Sequence, residues 1–184
     1  MVEINSPEAA AEYLLTEVCD LALDEHGERT PERFVKMLRE LTTPEAFELR
    51  TFPNEGMDEM IIIRNIPFVS LCNHHVIPFI GKAHIGYVPR DLIAGLSKFA
   101  RVVNMFSKAL TVQERLTAHV ADYIEERLNP RGVAVVMEAE HLCMTIRGVH
   151  APGTLTYTAA MRGVFADHSR TAKAEFMQRI NGGR

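Results

Sequence analysis

Residues 60–88 read MIIIRNIPFVSLCNHHVIPFIGKAHIGYV, and this stretch sets the architecture expected for the chain. Met60–Ile63 is an apolar, β-branched run, typical of a strand that is covered on both faces. Phe68–Cys72 and Lys82–Val88 predict two further strands, joined through Pro78 and Gly81. The middle of the chain is therefore expected to be a group of consecutive strands.

Helical patterns precede and follow these strands. Ser6-Pro7 and Thr30-Pro31 are helix start signals, the first predicting a helix as far as Gly27 and the second a helix to about Leu41. Apolar stripes at helical spacing begin at Leu96 and Val112. Two closing strands are predicted at Gly132–Glu140 and Thr154–Phe165, and a last helix at His168–Ile180.

Helices and strands thus come in pairs rather than in alternation. This order predicts an α+β fold with a largely antiparallel sheet, not a doubly wound parallel one. The 184 residues are enough for one structural unit. We expect an N-terminal helical region and loop at residues 1–57 and the main domain at residues 58–184.

Composition and charge exclude some function classes. The apolar fraction of 47% and the charged fraction of 24% are typical of globular proteins. The net charge of −4 disfavours nucleic acid as a partner, and no apolar run approaches the ~20 residues that cross a bilayer. The three cysteines, Cys19, Cys72 and Cys143, disfavour a disulfide framework and favour a reducing, cytoplasmic location. Cys19, on a helical stripe, is expected to pack in the core.

Two short segments hold the candidate metal ligands: residues 72–75, with Cys72, His74 and His75, and residues 141–143, with His141 and Cys143. Thiolates and imidazoles are the ligands that zinc prefers, and three of them leave a fourth position for water, as at catalytic sites. Neighbouring side chains on an extended chain point opposite ways, so one of the two adjacent histidines is expected to bind. The spacing does not decide which one. Buried cysteines that pack as small apolar groups are the alternative.

A second group of residues suits an anionic nucleotide. Arginine and lysine side chains that converge near a metal would bind a triphosphate, although each alone could be a solvated surface charge. The candidates are Arg33, Lys36, Ser97, Lys98, Arg101 and Arg147. No P-loop motif is present. Gln113-Glu114 opens a helix, where an acid is favoured by the helix dipole; its carboxylate could also accept hydrogen bonds from guanine N1–H and the 2-amino group.

The order of the motifs resembles the GTP cyclohydrolase I family. The similarity runs from about Arg29 to Phe176. The matching motifs are Arg29–Arg33, Asp58–Met60, Cys72–Phe79, Gly81–His84, Gly95–Lys98, Val112–Thr117 and Gly132–Gly148. The resemblance implies a tunnelling fold (T-fold) with an antiparallel sheet, helices on one face, and N-terminal helices. It also implies subunits that form rings, two pentamers stacking as a homodecamer, with active sites between subunits.

The resemblance further implies which residues act on GTP. Cys72, His75 and Cys143 match the family's ligands for one zinc ion per subunit, and His74 and His141 its other catalytic histidines. Gln113 and Glu114 match guanine-binding positions. The positions near ribose and triphosphate are Ser97, Lys98, Arg101, Arg147, Arg33 and Lys36. The implied reaction converts GTP into 7,8-dihydroneopterin triphosphate and formate, the first step of pterin- or folate-type biosynthesis.

Three positions depart from the family pattern. Asn73 stands where glutamate is usual, Asn104 replaces an aspartate, and Lys173 replaces an arginine. Asn73 makes the surroundings of the metal less negative than in the family. The alternative is therefore a purine- or pterin-binding zinc protein of the same fold without turnover.

Overall fold

The computed structural model describes residues 4–166 and 171–182. The start of the last predicted helix, residues 168–170, lies outside the described residues. The chain divides into two units, residues 1–43 and residues 44–184. The sequence-based boundary after residue 57 stays a prediction. No helix among the described residues is long and apolar enough to cross a membrane.

From residue 4 onward, where the structure describes it, the first unit contains two helices, α1 (Pro7–Cys19) and α2 (Thr30–Thr42). The hydroxyl of Ser6 accepts a hydrogen bond from the Ala9 N–H, as the start signal predicts. The predicted stop at Gly27 is wrong. Asp20 adopts a left-handed backbone conformation, and the helix ends before it, at Cys19. The core position expected for Cys19 is also wrong. Cys19 is the exposed last residue of α1, whose buried residue is Ala11.

Within its described residues, the second unit contains two sheets and four helices. The small sheet pairs β1 (Thr51–Pro53) with β4 (Leu92–Ala94). The large sheet has the order β5-β2-β3-β6-β7. Its strands are β2 (Ile61–Cys72), β3 (Pro78–Val88), β5 (Leu110–Thr111), β6 (Gly132–His141) and β7 (Leu155–Gly163). The helices are α3 (Leu96–Ser107), α4 (Gln113–Leu128), α5 (Leu142–Thr145) and α6 (Thr171–Asn181).

Strand pairing is antiparallel except between β2 and the two-residue β5. This confirms the α+β class and the largely antiparallel sheet. Two of the predicted strands, however, form one continuous strand, β2. Asn65 takes a left-handed conformation (φ 58°), and the register shifts between Ile63 and Ile66, so that a bulge replaces the predicted break.

The core consists of two layers on opposite faces of the large sheet. Val133, Val135 and Met137 of β6 point into the layer that the long helices α3 and α4 cover. Alternate residues of the same strand, Ala134 and Val136, point into a smaller layer with Phe176 of α6. The long helices therefore share one face, as the T-fold requires, and α6 packs on the other.

Candidate active site

Three metal-ligating side chains come together where β2 and β6 end. Cys72 is the last residue of β2, His75 lies in the following turn, and Cys143 lies on α5. One ligand atom from each of these residues lies within 4.8 Å of the other two. Cys72 is buried, Cys143 is half-buried and His75 is exposed. Two thiolates and an imidazole are a typical donor set for a transition metal such as zinc, so this group can bind a metal ion.

The turn after Cys72 brings the histidine back to the cysteine. The N–H groups of His75 and Val76 donate to the Cys72 carbonyl at 3.3 and 2.8 Å, and the Cys72 N–H donates to the Ile77 carbonyl at 2.9 Å. Val76 takes a left-handed conformation (φ 56°), which is strained for a β-branched residue. Such strain is often found at functional sites, where the surrounding structure holds it.

Both adjacent histidines lie near the Cys72 sulfur. The Nδ1 atom of His74 is 3.7 Å from this sulfur, and that of His75 is 4.0 Å from it. Only His75 joins the group that also contains Cys143, among the residues the structure describes. The geometry thus favours the histidine that the resemblance indicates and leaves His74 beside the group.

Deprotonating both thiols is electrostatically unfavourable without a cation. Burial, followed by the neighbouring Cys72, raises the pKa of the Cys143 thiol, and Arg147 opposes this shift weakly. Two thiolates close together repel each other unless a cation lies between them. A metal ion would supply that charge and deprotonate the coordinating thiols.

His141, at the end of β6, is held on two sides. Its ring stacks on the Phe79 ring, with 4.7 Å between centroids and an interplanar angle of 1°. Its Nε2 atom lies 2.8 Å from Oε1 of Gln113, the first residue of α4. Burial lowers the pKa of His141, and the Glu114 carboxylate partly opposes this shift. The site therefore contains a histidine of fixed orientation two residues from Cys143.

The predicted anion-binding residues lie on three separate elements. Ser97 and Lys98 are in the first turn of α3 and Arg101 is in the next, with the Lys98 Nζ atom 5.7 Å from the Phe47 ring centroid. Arg147 is exposed just after α5 and acts electrostatically on Cys143. Arg33 and Lys36 are exposed on α2, in the first unit. Their binding of ribose and triphosphate stays a prediction.

The sequence did not reveal how Gln113 is used within the chain. Its side chain is 1% exposed, whereas Glu114 beside it is exposed. The Gln113 amide nitrogen donates to the carbonyls of Met137 and Thr156, at 3.1 and 2.9 Å. These partners lie 24 and 43 residues away, so no local pattern signals them. The stacking of Phe79 on His141 was not predicted either, because the sequence shows Phe79 only as the end of the Cys72–Phe79 motif.

Comparison with known proteins agrees with this geometry. Residues 7–181 match the family model described as GTP cyclohydrolase I. The GTP cyclohydrolase 1 of Aquifex aeolicus is 47% identical over 154 residues, which are 83% of this chain and 83% of that protein. The GTP cyclohydrolase 1 of Carboxydothermus hydrogenoformans is 44% identical over 98% of this chain and 96% of that protein. The GTP cyclohydrolase 1 of a Synechococcus strain is 46% identical over 94% of this chain and 77% of that protein.

The family match covers both the β2–β3 turn with Cys72 and His75 and the β6–α5 junction with Cys143. The sheet and its helices have the arrangement expected of the tunnelling fold. With a matched span from α1 to α6 and relatives at 44–47% identity over most of their length, the chain belongs to the GTP cyclohydrolase I family.

Proposed function

We propose that the chain catalyses the zinc-dependent conversion of GTP and water into 7,8-dihydroneopterin triphosphate and formate. The observation that carries this proposal is the Cys72, His75 and Cys143 group, within 4.8 Å, in a chain of this family. Zinc is the metal that best fits two thiolates and one imidazole, at one ion per subunit. When bound, zinc would supply a water activated for attack near neutral pH.

The chain's own residues would position the guanine and move protons. In the proposal, His141 gives a proton to N7 of the guanine, which makes C8 more electrophilic. The Glu114 carboxylate accepts hydrogen bonds from N1–H and the 2-amino group. His74 assists later proton transfers. The cationic and hydroxyl groups that bind ribose and triphosphate are Ser97, Lys98, Arg101, Arg147, Arg33 and Lys36.

The proposed reaction balances with one net water. A first water adds to C8, and the C8–N9 bond breaks to leave a formamide on N7. A second water hydrolyses the formamide, which releases formate and a free amine. Amadori rearrangement turns the ribose into a ketone, and the amine condenses with this ketone and expels one water.

The proposal also places the site in an assembly of two stacked pentamers, a homodecamer, in the cytoplasm. Open sheet edges support the assembly, because an unpaired edge strand is a template for another chain. Strand β7 is at one edge of the described sheet, and β5 pairs only with Leu71 and Cys72 of β2 at the other. A reducing compartment would keep both thiols free to ligate the metal.

The test is to incubate the zinc-loaded protein with GTP and measure formate and the oxidised, fluorescent pterin. We expect both products, and we expect C143A to lose both products and bound zinc. C19A is the matched control, since Cys19 is exposed on α1 and should leave them unchanged. GTP binding without formate at full zinc occupancy would reject the proposal and favour the non-catalytic alternative based on Asn73.

A further inference from the structure

The Gln113 amide has only one possible orientation in this fold. Its nitrogen faces the backbone carbonyls of Met137 and Thr156, which can only accept hydrogen bonds. Exchanging the amide oxygen and nitrogen would put an oxygen against two carbonyl oxygens in a buried place. The side chain is 1% exposed, so no solvent could relieve that repulsion. The Oε1 atom therefore has to face His141.

A second group of contacts closes around the same amide. Thr158 lies on β7, and its hydroxyl oxygen is 3.1 Å from the Gln113 amide nitrogen, a third acceptor for the two N–H groups of that amide. The Thr117 hydroxyl donates to the backbone carbonyl of Gln113 at 2.7 Å and lies 2.6 Å from the Thr158 hydroxyl. Because the Thr117 proton is already used, the Thr158 hydroxyl has to donate to Thr117. Three acceptors thus surround the two N–H groups of the amide, which leaves no place for the amide oxygen on this side.

The network determines which nitrogen of His141 carries a proton. A glutamine Oε1 can only accept, and it lies 2.8 Å from His141 Nε2. The Nε2 atom therefore has to donate, which makes Nε2–H the form of the neutral ring. The stacking on Phe79 fixes the plane of the ring, and the Gln113 contact fixes which edge of the ring faces α4. The other nitrogen, Nδ1, is left with the lone pair.

We infer that Gln113 is a positioning residue that holds the imidazole of His141 with its proton on Nε2. His141 consequently gives or takes protons in the reaction at Nδ1, and the Gln113 side chain is not a guanine ligand. The second statement rests on the proposed function, whereas the tautomer does not. A histidine whose Nε2–H is fixed by a hydrogen bond exchanges protons with the substrate only at its other ring nitrogen.

The first test reads the tautomer in the zinc-loaded, unmodified protein by ¹⁵N NMR of labelled histidine. The spectrum is recorded at a pH where the imidazoles are neutral, and an H141N variant identifies the His141 signals. We expect a protonated Nε2 and an unprotonated Nδ1. A proton on Nδ1 would overturn the inference. This result does not depend on whether the protein turns over GTP.

The second test uses Q113M, which keeps the length of the side chain but offers no acceptor to His141. General acid–base catalysis contributes about 10²–10⁴-fold, so partial loss of orientation should lower kcat by about 10- to 100-fold. GTP affinity and zinc content should stay near those of the unmodified protein. S107A, which removes another buried hydrogen bond at 3.0 Å, is the control for lost stability.

The two measurements separate the possible failures. An unchanged kcat in Q113M overturns the positioning role, and a large rise in KM at constant kcat would instead make Gln113 a substrate ligand. If Q113M does not fold, the tautomer in the unmodified protein still decides the inference. If the unmodified protein produces no formate, the proposed function fails and the tautomer result stands.

Discussion

Val76 lies in the turn after Cys72, next to the candidate ligand His75, and has an unfavourable backbone conformation. It is a 45% exposed valine with φ 56°, and the turn hydrogen bonds around Cys72 hold it there. A left-handed conformation costs a residue with a Cβ roughly 1–2 kcal/mol. The sequence offers no sign of this strain, because valine normally indicates a strand.

Replacing Val76 with glycine should therefore be tolerated. Glycine costs roughly 0.5–1 kcal/mol in backbone entropy but avoids the left-handed penalty. The free energy of unfolding of V76G should therefore be within about 1 kcal/mol of that of the unmodified protein. V69G is the control, since Val69 is similarly exposed at 40% but extended within β2, and it should be clearly destabilised. Urea unfolding of both zinc-loaded variants measures the difference. Equal losses in the two variants would contradict the strain.

His84, on β3, should make the free energy of unfolding depend on pH. It is 6% exposed, and burial lowers its pKa below the ordinary value of 6.5, although Glu138 on β6 opposes the shift. The positive charges of Arg64 on β2 and Lys82 on β3 add to the lowering. The Asn65 N–H also points at the His84 Nδ1 atom, at 3.4 Å, where an added proton would displace it.

The sign of the effect follows from linkage. The unfolded chain takes up a proton near pH 6.5 that the folded protein resists, so stability is present above that pH and falls below it. We expect H84Q to lose less free energy of unfolding than the unmodified protein between pH 7 and pH 5. Denaturant unfolding at several pH values measures this, with H26Q at an exposed position as control. Identical slopes in H84Q and the unmodified protein would refute it.

The candidate metal ligands and the residues around them differ in how far the sequence predicts them. Cysteine and histidine have few common roles, so Cys72, His75 and Cys143 stand out although 71 positions separate the two cysteines. The choice of His75 over His74 needed the resemblance, because the spacing from Cys72 does not distinguish two adjacent histidines. The Gln113–His141 contact could not be predicted, because it depends on how β6, β7 and α4 pack.

At the level of elements, strands and helices were predicted where apolar periodicity is uninterrupted. The stripe of α4 and the apolar run of β6 have the predicted type and nearly the predicted bounds. The bulge in β2 was read as a break, because Arg64 and Asn65 interrupt the apolar pattern without ending the pairing with β3. The end of α1 was missed because Asp20, and not a glycine, takes the left-handed conformation.

The β3–β6 ladder leaves no room for a side chain at Gly81. A Cβ atom at this position would lie 2.0 Å from the Glu138 carbonyl oxygen and 2.8 Å from the Ala139 Cα atom. Both are backbone atoms that cannot move without opening the ladder. G81A should cost about 1–3 kcal/mol of stability, as for overpacked cores.

The same ladder places Phe79 opposite His141, two residues from Gly81, so G81A should also lower turnover of GTP. G95A is the control for stability, because a Cβ there would come no closer than 3.7 Å to the nearest atom. Thermal unfolding and formate release measure the two effects. A G81A protein as stable as G95A would show that the strands can separate without loss.

At the scale of the whole molecule, the large sheet as described ends in one edge strand on each side, β7 and β5. Strand β7 is nine residues long and is paired only with β6 among the described strands, and Leu155 at its start is 50% exposed. On the opposite side, β5 pairs with only two residues of the twelve-residue β2. Two different open edges allow head-to-tail pairing of copies, which closes into a ring when the rotation permits.

Charge on β7 should therefore break the proposed assembly. A lysine on an edge strand opposes pairing with another chain, so L155K should shift the protein from about ten chains toward smaller species. M57K is the matched control, because Met57 is 49% exposed but lies outside the strands. Sedimentation velocity measures both. If L155K sediments as the unmodified decamer does, β7 is not the joining edge, and if the unmodified protein is a monomer, the ring itself is wrong.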